Sequence, residues 1–255
     1  MQKKNRWVTA VIVLTAGMFF GGARGARTTA VTIPGIAMGL APYALAEGED
    51  APPATDAAEA VMAQLEEVER NVRSTRYRHT TEVNESLGIY DWDCSGMVGW
   101  ILRRAAPVAF SALGVDRPVA QGIAQVIRDA PVDDERDGWR RIVRVSALRP
   151  GDVFAWETPR NLRQDGMTGH TGFIVGSPRH LYGLDEAYSI VVADSTTLPH
   201  QLDSRLLALD FDGGIGRGTM TFAVDSDGVA EAYGWQGPWS PVFRRNEIEF
   251  GRVTR

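Results

Sequence analysis

The hydrophobic pattern of this chain changes its period near the middle, and that change limits the folds available to it. Up to Asp129, apolar residues recur three and four positions apart, as on one face of a helix. Beyond the charged run 133–137, they gather in short apolar runs separated by Gly, Pro and Asp, which is typical of strands joined by turns. Helices first and antiparallel strands afterwards predict an α+β domain, with a helical layer packed against one sheet.

Individual elements follow from apolar spacing and from the residues that start and stop helices. The predicted helices are 56–73, 94–105 and 118–129, and the predicted strands are 142–145, 153–156, 170–176, 188–194, 219–224, 229–235 and 248–253. The run Asp225-Ser226-Asp227-Gly228 predicts a hairpin turn. The glycine-rich run 213–218 precedes a strand rather than a helix, so we interpret it as a flexible connection and not as a phosphate loop.

The start of the chain has the composition of an export signal. Basic residues precede an apolar run at 7–20, and a second apolar run at 29–46 closes on Ala44-Leu45-Ala46, an A-x-A cleavage pattern. We therefore predict that 1–46 is an export signal, or else an N-terminal anchor, and that 47–55 is a linker before a single domain at 56–255. The protein is expected to be exported, periplasmic or extracellular, with membrane attachment only through this first segment.

Charge and residue usage exclude several classes of function. The net charge is −5, and because 1–46 holds five basic and no acidic residues, the remainder carries 22 basic against 32 acidic side chains. Such an acidic chain is not expected to bind nucleic acid. Its lysines, Lys3 and Lys4, both lie in the leader, which leaves no lysine nucleophile in the domain. One cysteine and four scattered histidines offer no metal-ligand spacing, so we predict no metal and no cofactor.

The single cysteine lies where a helix is predicted to begin. Asp93 is a suitable N-cap, which places Cys94 in the first turn, where the helix dipole stabilises a thiolate and lowers the thiol pKa. Gly96 and Gly99 weaken the helix and are expected to let a strand pack closely over it. A lone cysteine is often only a small buried apolar residue. In an exported chain, however, one unpaired thiol favours a reactive role.

Three ordered motifs carry a resemblance to a known family. Asp93-Cys94-Ser95-Gly96 opens an apolar helix, Leu148-Arg149-Pro150-Gly151-Asp152-Val153 enters a strand, and Gly169-His170-Thr171-Gly172-Phe173-Ile174-Val175-Gly176 follows. From Tyr77 to Thr196 the chain resembles the NlpC-type papain-like cysteine peptidases. The resemblance implies a minimal papain-like fold, in which the nucleophile helix packs on an antiparallel sheet. It also implies hydrolysis of amide bonds in cell-wall peptides, with Cys94 as nucleophile and His170 as base.

The same resemblance implies further site residues. The polar residue that orients the histidine matches Asp194, where the family usually has His, Asn or Gln, and His200 is the alternative. Asp93, Ser95 and an upstream tyrosine would bind the free amino end of a peptide or peptidoglycan fragment. That tyrosine is Tyr77, with Tyr90 as the alternative.

Other functions remain open from the sequence alone. A same-fold acyltransferase, or a hydrolase of lipids or small amides, would use the same catalytic residues, because substrate choice depends on the shape of loops. A non-catalytic binding module could also retain this fold. The remaining histidines, His79 and His180, lie in polar stretches and are predicted to be exposed.

Overall fold

A computed structural model describes residues 30–31, 50–163, 166–181, 184–207 and 212–255. It is a mixed α+β structure with a large antiparallel sheet and few helices, which confirms the predicted α+β class. Most of the predicted export signal and the first residues of the predicted linker lie outside the described residues. Among the residues that are described, no helix is both long and apolar enough to cross a membrane.

The helices form the first half of the domain, as predicted. They are α1 (Asp56–Asn71), α2 (Cys94–Ala105), α3 (Pro107–Ser111) and α4 (Ala120–Asp129). Thr55 caps α1: its hydroxyl accepts a hydrogen bond from the Ala58 amide at 3.1 Å and donates to the Val253 carbonyl at 2.6 Å. This second bond joins the end of the predicted linker to the last strand of the domain.

Most of the strands belong to one antiparallel sheet. The strands are β1 (Ala30–Val31), β2 (Ser74–Tyr77), β3 (Glu82–Asn84), β4 (Ile89–Trp92), β5 (Trp139–Ile142), β6 (Val153–Glu157), β7 (Gly169–Ile174), β8 (Arg179–Leu181), β9 (Leu184–Thr196), β10 (Gly214–Val224), β11 (Ala230–Gly234), β12 (Phe243–Arg245) and β13 (Ile248–Val253). The large sheet has the order β1-β12-β11-β10-β9-β7-β6-β13-β5, with β8 beside β9, and a small sheet has the order β2-β4-β3. The small sheet was not predicted, because its residues are mostly polar.

The two faces of the large sheet carry separate hydrophobic cores. Alternate residues of β6 illustrate this: Val153 and Ala155 pack beneath the helices, whereas Phe154 and Trp156 belong to the core on the opposite face. This alternation is the period of two that a strand imposes on its side chains. The helix side holds α2 against β7 and β9, the two strands that carry His170 and Asp194.

The interpretation of 213–218 as a flexible connection was wrong. Most of this run is the first half of β10, which pairs with β9 from Gly214 opposite Thr196 to Ala223 opposite Ala187. A Cβ at Gly216 would lie 2.6 Å from Cγ of Arg205, and one at Gly218 would lie 2.6 Å from Cβ of His200. These glycines therefore make room for buried side chains that pack on the strand.

Candidate active site

Helix α2 begins as predicted, with Asp93 as its N-cap. The Oδ1 atom of Asp93 accepts hydrogen bonds from the Gly96 amide at 2.7 Å and from the Ser95 hydroxyl at 3.0 Å. Cys94 is the first helical residue, and only 4% of its surface is exposed. The sulfur therefore lies at the N-terminus of the helix, close to the backbone amide of Ser95.

The glycines of α2 do allow close packing, but loops approach them rather than the predicted strand. A Cβ at Gly96 would lie 2.4 Å from the Thr81 hydroxyl oxygen, and one at Gly99 would lie 2.7 Å from the Pro118 ring. The loops before β3 and before α4 therefore close over the start of the helix.

The predicted lowering of the Cys94 pKa was wrong in direction. Burial raises the pKa of the Cys94 thiol to about 12, and the negative charge of Asp93 adds to the increase. Hydrogen bonds from the backbone amides of Thr171 and Ser95 oppose this increase without cancelling it. The dipole of a helix thus stabilises the thiolate less than burial disfavours it, so the resting sulfur is a protonated thiol.

His170 and Asp194 meet on neighbouring strands. Phe173 of β7 lies opposite Ala193 of β9 in the core beneath the helices, and continuing this antiparallel register places His170 and Asp194 together on the opposite face. There the His170 ring packs on Phe154 and Trp156. Nε2 of His170 lies 2.7 Å from Oδ2 of Asp194, a carboxylate with no exposed surface. The Thr171 amide that donates to the Cys94 sulfur is the residue after His170. The structure therefore brings Cys94 against the strand that carries His170, and it pairs His170 with Asp194.

His200, the alternative orienting residue, lies behind Asp194. Its Nε2 atom is 2.8 Å from the same Oδ2 of Asp194, and its Nδ1 atom is 2.9 Å from the carbonyl oxygen of Trp235. The Trp235 ring also packs against both imidazoles, with ring centroids 4.9 Å from His170 and 4.3 Å from His200. Asp194 is thus the residue that contacts His170, and His200 contacts Asp194.

Arg205 and Asp203 complete this buried cluster, and sequence reasoning missed both. Nη1 of Arg205 donates to Oδ1 of Asp194 at 2.9 Å, and its Nη2 donates to Oδ2 of Asp203 at 2.6 Å. Burial alone would raise the pKa of Asp194, but the charge of His200, hydrogen bonds from both histidines and the charge of Arg205 hold that pKa well below its usual range. The sequence feature connected with Arg205 is Gly216 of β10, because the lack of a side chain there leaves room for the Arg205 side chain.

A cavity of about 290 Å³ opens onto Cys94. Its walls are Tyr77, His79, Asp93, Cys94, Ser95, Arg117, Val119, Ala120 and residues 166–169. Tyr77 is hydrogen-bonded to the Cys94 thiol, and burial together with the nearby Cys94 and Asp93 raises the pKa of its phenol. Tyr90, the alternative, lies in the core with 1% exposure and packs on Trp92 and Trp100. Of the two tyrosines, Tyr77 is therefore the one at the candidate site.

Asp93 is already fully hydrogen-bonded within the protein. Its Oδ2 atom accepts from Nη2 of Arg117 at 2.7 Å and lies 3.4 Å from Nδ1 of His79. With Ser95 and Gly96 on the other oxygen, each carboxylate oxygen already has two partners. His79 is exposed, as predicted, but it contacts Asp93 as well. Binding of a substrate amine by Asp93 stays a prediction, and it would require one of these partners to move.

His180, the last of the four histidines, does not line this cavity. His180 is exposed and packs against Tyr188, with ring centroids 4.1 Å apart. In the ranges that the structure describes, no group of three or more His, Cys, Asp or Glu side chains is arranged to hold a metal ion.

Comparison with known proteins gives one relative and no family. No family model matches the chain, and no solved structure matches it. The chain is 25% identical over 194 residues to the uncharacterized protein R653 of Acanthamoeba polyphaga mimivirus. This similarity covers 67% of the chain and 83% of the viral protein. The name of the viral protein states no activity, so the site itself has to support any functional proposal.

Proposed function

We propose that this protein is an exported cysteine hydrolase of amide or peptide bonds, built on a minimal papain-like fold. The observation that supports this most is the 2.7 Å contact between Nε2 of His170 and Oδ2 of Asp194. Thr171, the residue after His170, directs its backbone amide at the Cys94 sulfur. A nucleophile, a base and a group that orients the base are the three parts that thiol hydrolysis needs. The cavity over Cys94 supplies room for a substrate.

In the proposed mechanism, the thiol loses its proton only as it attacks. Because Asp194 occupies Nε2 of His170, the free Nδ1 atom takes the proton from Cys94 while the sulfur bonds to the carbonyl carbon. The Cys94 amide, in the first turn of α2, stabilises the oxygen that becomes negative. The His170 imidazolium then protonates the leaving amine, and a thioester forms on Cys94. Water, deprotonated by His170, attacks the thioester and releases a carboxylic acid and the thiol.

The proposed substrates are cell-wall peptides, by the family resemblance. Asp93 already accepts from Arg117 and from the helix amide of Gly96, so a free amino end gains this carboxylate only if one of these partners moves. We therefore expect a peptide with an acetylated amino end to be cleaved within about threefold of the rate for the free peptide, a difference below about 1 kcal/mol in transition-state binding.

Incubation with purified peptidoglycan fragments, followed by mass analysis, tests the proposal. We expect new fragments that account for one added water per cleaved bond, and we expect none from the Cys94→Ser variant. His180→Ala is the matched control, because this histidine lies outside the cavity and should retain full activity. Fragments that remain intact with the wild-type protein would contradict the proposal.

An acyltransferase is the second candidate, because a thioester on Cys94 can react with an amine instead of water. Adding an amine acceptor to the same incubation separates the two functions. A hydrolase gives free acid as the main product, whereas a transferase gives the acceptor-linked amide.

A further inference from the structure

We propose that Arg117 binds a carboxylate of the substrate, so that the cleaved bond lies close to an acidic group. Arg117 lines the cavity over Cys94, and no step of the proposed chemistry uses it, so it determines specificity. The identification of the ligand as a substrate rests on the proposed function. The carboxylate site itself can be measured without any hydrolysis.

Arg117 is held beside the start of α2, where the sulfur lies. Its Nη2 atom donates to Oδ2 of Asp93 at 2.7 Å, and Asp93 is the residue before Cys94. The same Nη2 atom donates to the His79 carbonyl oxygen. These two bonds fix the guanidinium in the wall of the cavity that also contains the sulfur.

Arg117 has donors that the protein does not use. A guanidinium carries five N–H groups and stays protonated at every pH that a folded protein tolerates. Both bonds described above come from Nη2, and neither Nε nor Nη1 donates to any of the residues that the structure describes. A carboxylate that enters the cavity can therefore form charge-assisted hydrogen bonds with Arg117 while the contact with Asp93 is kept.

The charge of Arg117 is not fully offset by Asp93. Oδ1 of Asp93 accepts from the Gly96 amide at 2.7 Å and from the Ser95 hydroxyl at 3.0 Å, so the positive end of the α2 dipole also acts on this carboxylate. The Asp93 side chain is 8% exposed, whereas that of Arg117 is 40% exposed. A ligand in the cavity thus meets the cation more directly than the buried anion.

The apolar part of the cavity wall favours the same kind of ligand. Val119 and Met167 line the cavity, and both side chains are exposed. Apolar groups exclude water from a contact, and an ionic interaction is stronger where the dielectric constant is lower. The cavity therefore suits a peptide that presents aliphatic groups together with a carboxylate.

Alkylation of Cys94 by two matched reagents tests the carboxylate site. Iodoacetylglycine and iodoacetylglycinamide offer the sulfur the same reactive carbon, and they differ only in carrying a carboxylate or a carboxamide. Because the reactivity of the thiol is common to both reactions, it cancels in the ratio of the two rates. We expect Arg117→Gln to lower the ratio of acid to amide about tenfold, or about 1.4 kcal/mol, close to the low end for a hydrogen bond to a charged group.

Two further variants separate a carboxylate site from a general effect of charge. Arg104→Gln is the matched control, because Arg104 pairs with Glu85 at 3.0 Å and does not line the cavity, so the ratio should stay that of wild type. Combining Arg117→Gln with Asp93→Asn removes the anion as well, and asparagine is also a good N-cap. We expect the ratio in this double variant to remain about tenfold low.

Two results would overturn the carboxylate site. Recovery of the wild-type ratio in the double variant would show that Arg117 only screens the charge of Asp93. A sulfur that neither reagent alkylates would show that the cavity admits no such ligand.

Hydrolysis of matched peptides tests the substrate class. We expect wild type to cleave a peptide with Glu beside the cleaved bond about tenfold more efficiently in kcat/KM than the same peptide with Gln, mainly through KM, and we expect Arg117→Gln to lose this preference. An equal loss on both peptides would mean a merely structural residue and would overturn the proposal. A changed alkylation ratio in a protein that cleaves neither peptide would leave the carboxylate site standing and remove the proposed function. Hydrolysis with an unchanged ratio would remove the site alone.

Discussion

Asp152 and Asp194 are two of the buried carboxylates that pair with an arginine, and they differ in what else they touch. Asp152 accepts from Nε and Nη2 of Arg252, both at 2.8 Å, and from the Arg149 amide at 2.8 Å. Asp194 accepts from Arg205 and from two imidazoles. The first carboxylate joins the turn before β6 to β13, whereas the second lies on β9, beside the strand whose Thr171 amide lowers the pKa of Cys94. Neither carboxylate lines the cavity over Cys94. Both carboxylates are buried and face an arginine, but burial raises the pKa of Asp152, whereas the histidines and Arg205 hold the pKa of Asp194 well below its usual range.

The largest expected difference is in turnover. Asp194→Asn removes the charge that holds His170, and we expect it to lower the hydrolysis rate per folded molecule by about 10³-fold. Asp152→Asn should leave the rate per folded molecule unchanged, because Asp152 contacts no residue of the cavity. Rates are to be divided by the folded fraction from circular dichroism. Equal losses in both variants would remove the distinction between the two sites.

The pair of Asp152 and Arg252 should matter for stability alone. Arg252→Met leaves a buried carboxylate without its partner, and we expect a loss of about 3–5 kcal/mol in the free energy of unfolding. Replacing both members, as Asp152→Leu with Arg252→Met, removes the stranded charge and should recover more than half of that loss. Urea titration measures both values. A double variant as unstable as the single one would show that the loss in Arg252→Met does not come from the unpaired carboxylate of Asp152.

Acid should reveal the charge of Asp194. Its pKa is lower in the folded protein than the ordinary value of about 3.9, so its contribution to stability is present above about pH 4 and is lost as pH falls through the lower folded value. The difference in unfolding free energy between wild type and Asp194→Asn should therefore shrink below about pH 4. Urea titrations from pH 6 to 2 test this. A constant difference would mean that Asp194 is not ionised in the folded state.

The smallest expected effect concerns the packing of His200. A Cβ at Gly218 would lie 2.6 Å from Cβ of His200 and 2.9 Å from Oδ2 of Asp203, so Gly218→Ala should cost about 1–3 kcal/mol. Gly122→Ala in α4 is the matched control, because its Cβ would meet only Val119 at 4.0 Å. The control should stabilise the protein by about 1 kcal/mol through helix propensity. Equal effects at the two positions would argue against a crowded site.

The sequence predicted the parts of the site that lie close together in the chain. Asp93 and Cys94 are adjacent, so the cap and the helix start follow from local preferences. The position of His170 at the start of a strand was equally readable, because Gly-His-Thr-Gly precedes an apolar run.

The parts that could not be predicted depend on contacts between distant residues. Arg117 reaches Asp93 across 24 positions, and Trp235 reaches His200 across 35 positions, with no local pattern to mark either. The prediction for the Cys94 pKa was wrong for the same reason. The loops before β3 and α4 pack on α2, and the sequence of the helix alone does not indicate that burial. Gly216 and Gly218 did indicate close packing. Because the sequence alone does not place β9 beside them, these glycines were interpreted as a flexible connection.

The rate at which iodoacetamide alkylates Cys94 at pH 7 tests most directly whether the sulfur and the imidazole act together. A thiol whose pKa is raised to about 12 has almost no thiolate at that pH, so the reaction depends on a base that removes its proton. We predict that His170→Ala slows alkylation about a hundredfold, at the low end of what a positioned base supplies, while His180→Ala leaves it unchanged. Equal alkylation rates in the two variants would contradict the account, because Cys94 would then react without help from His170.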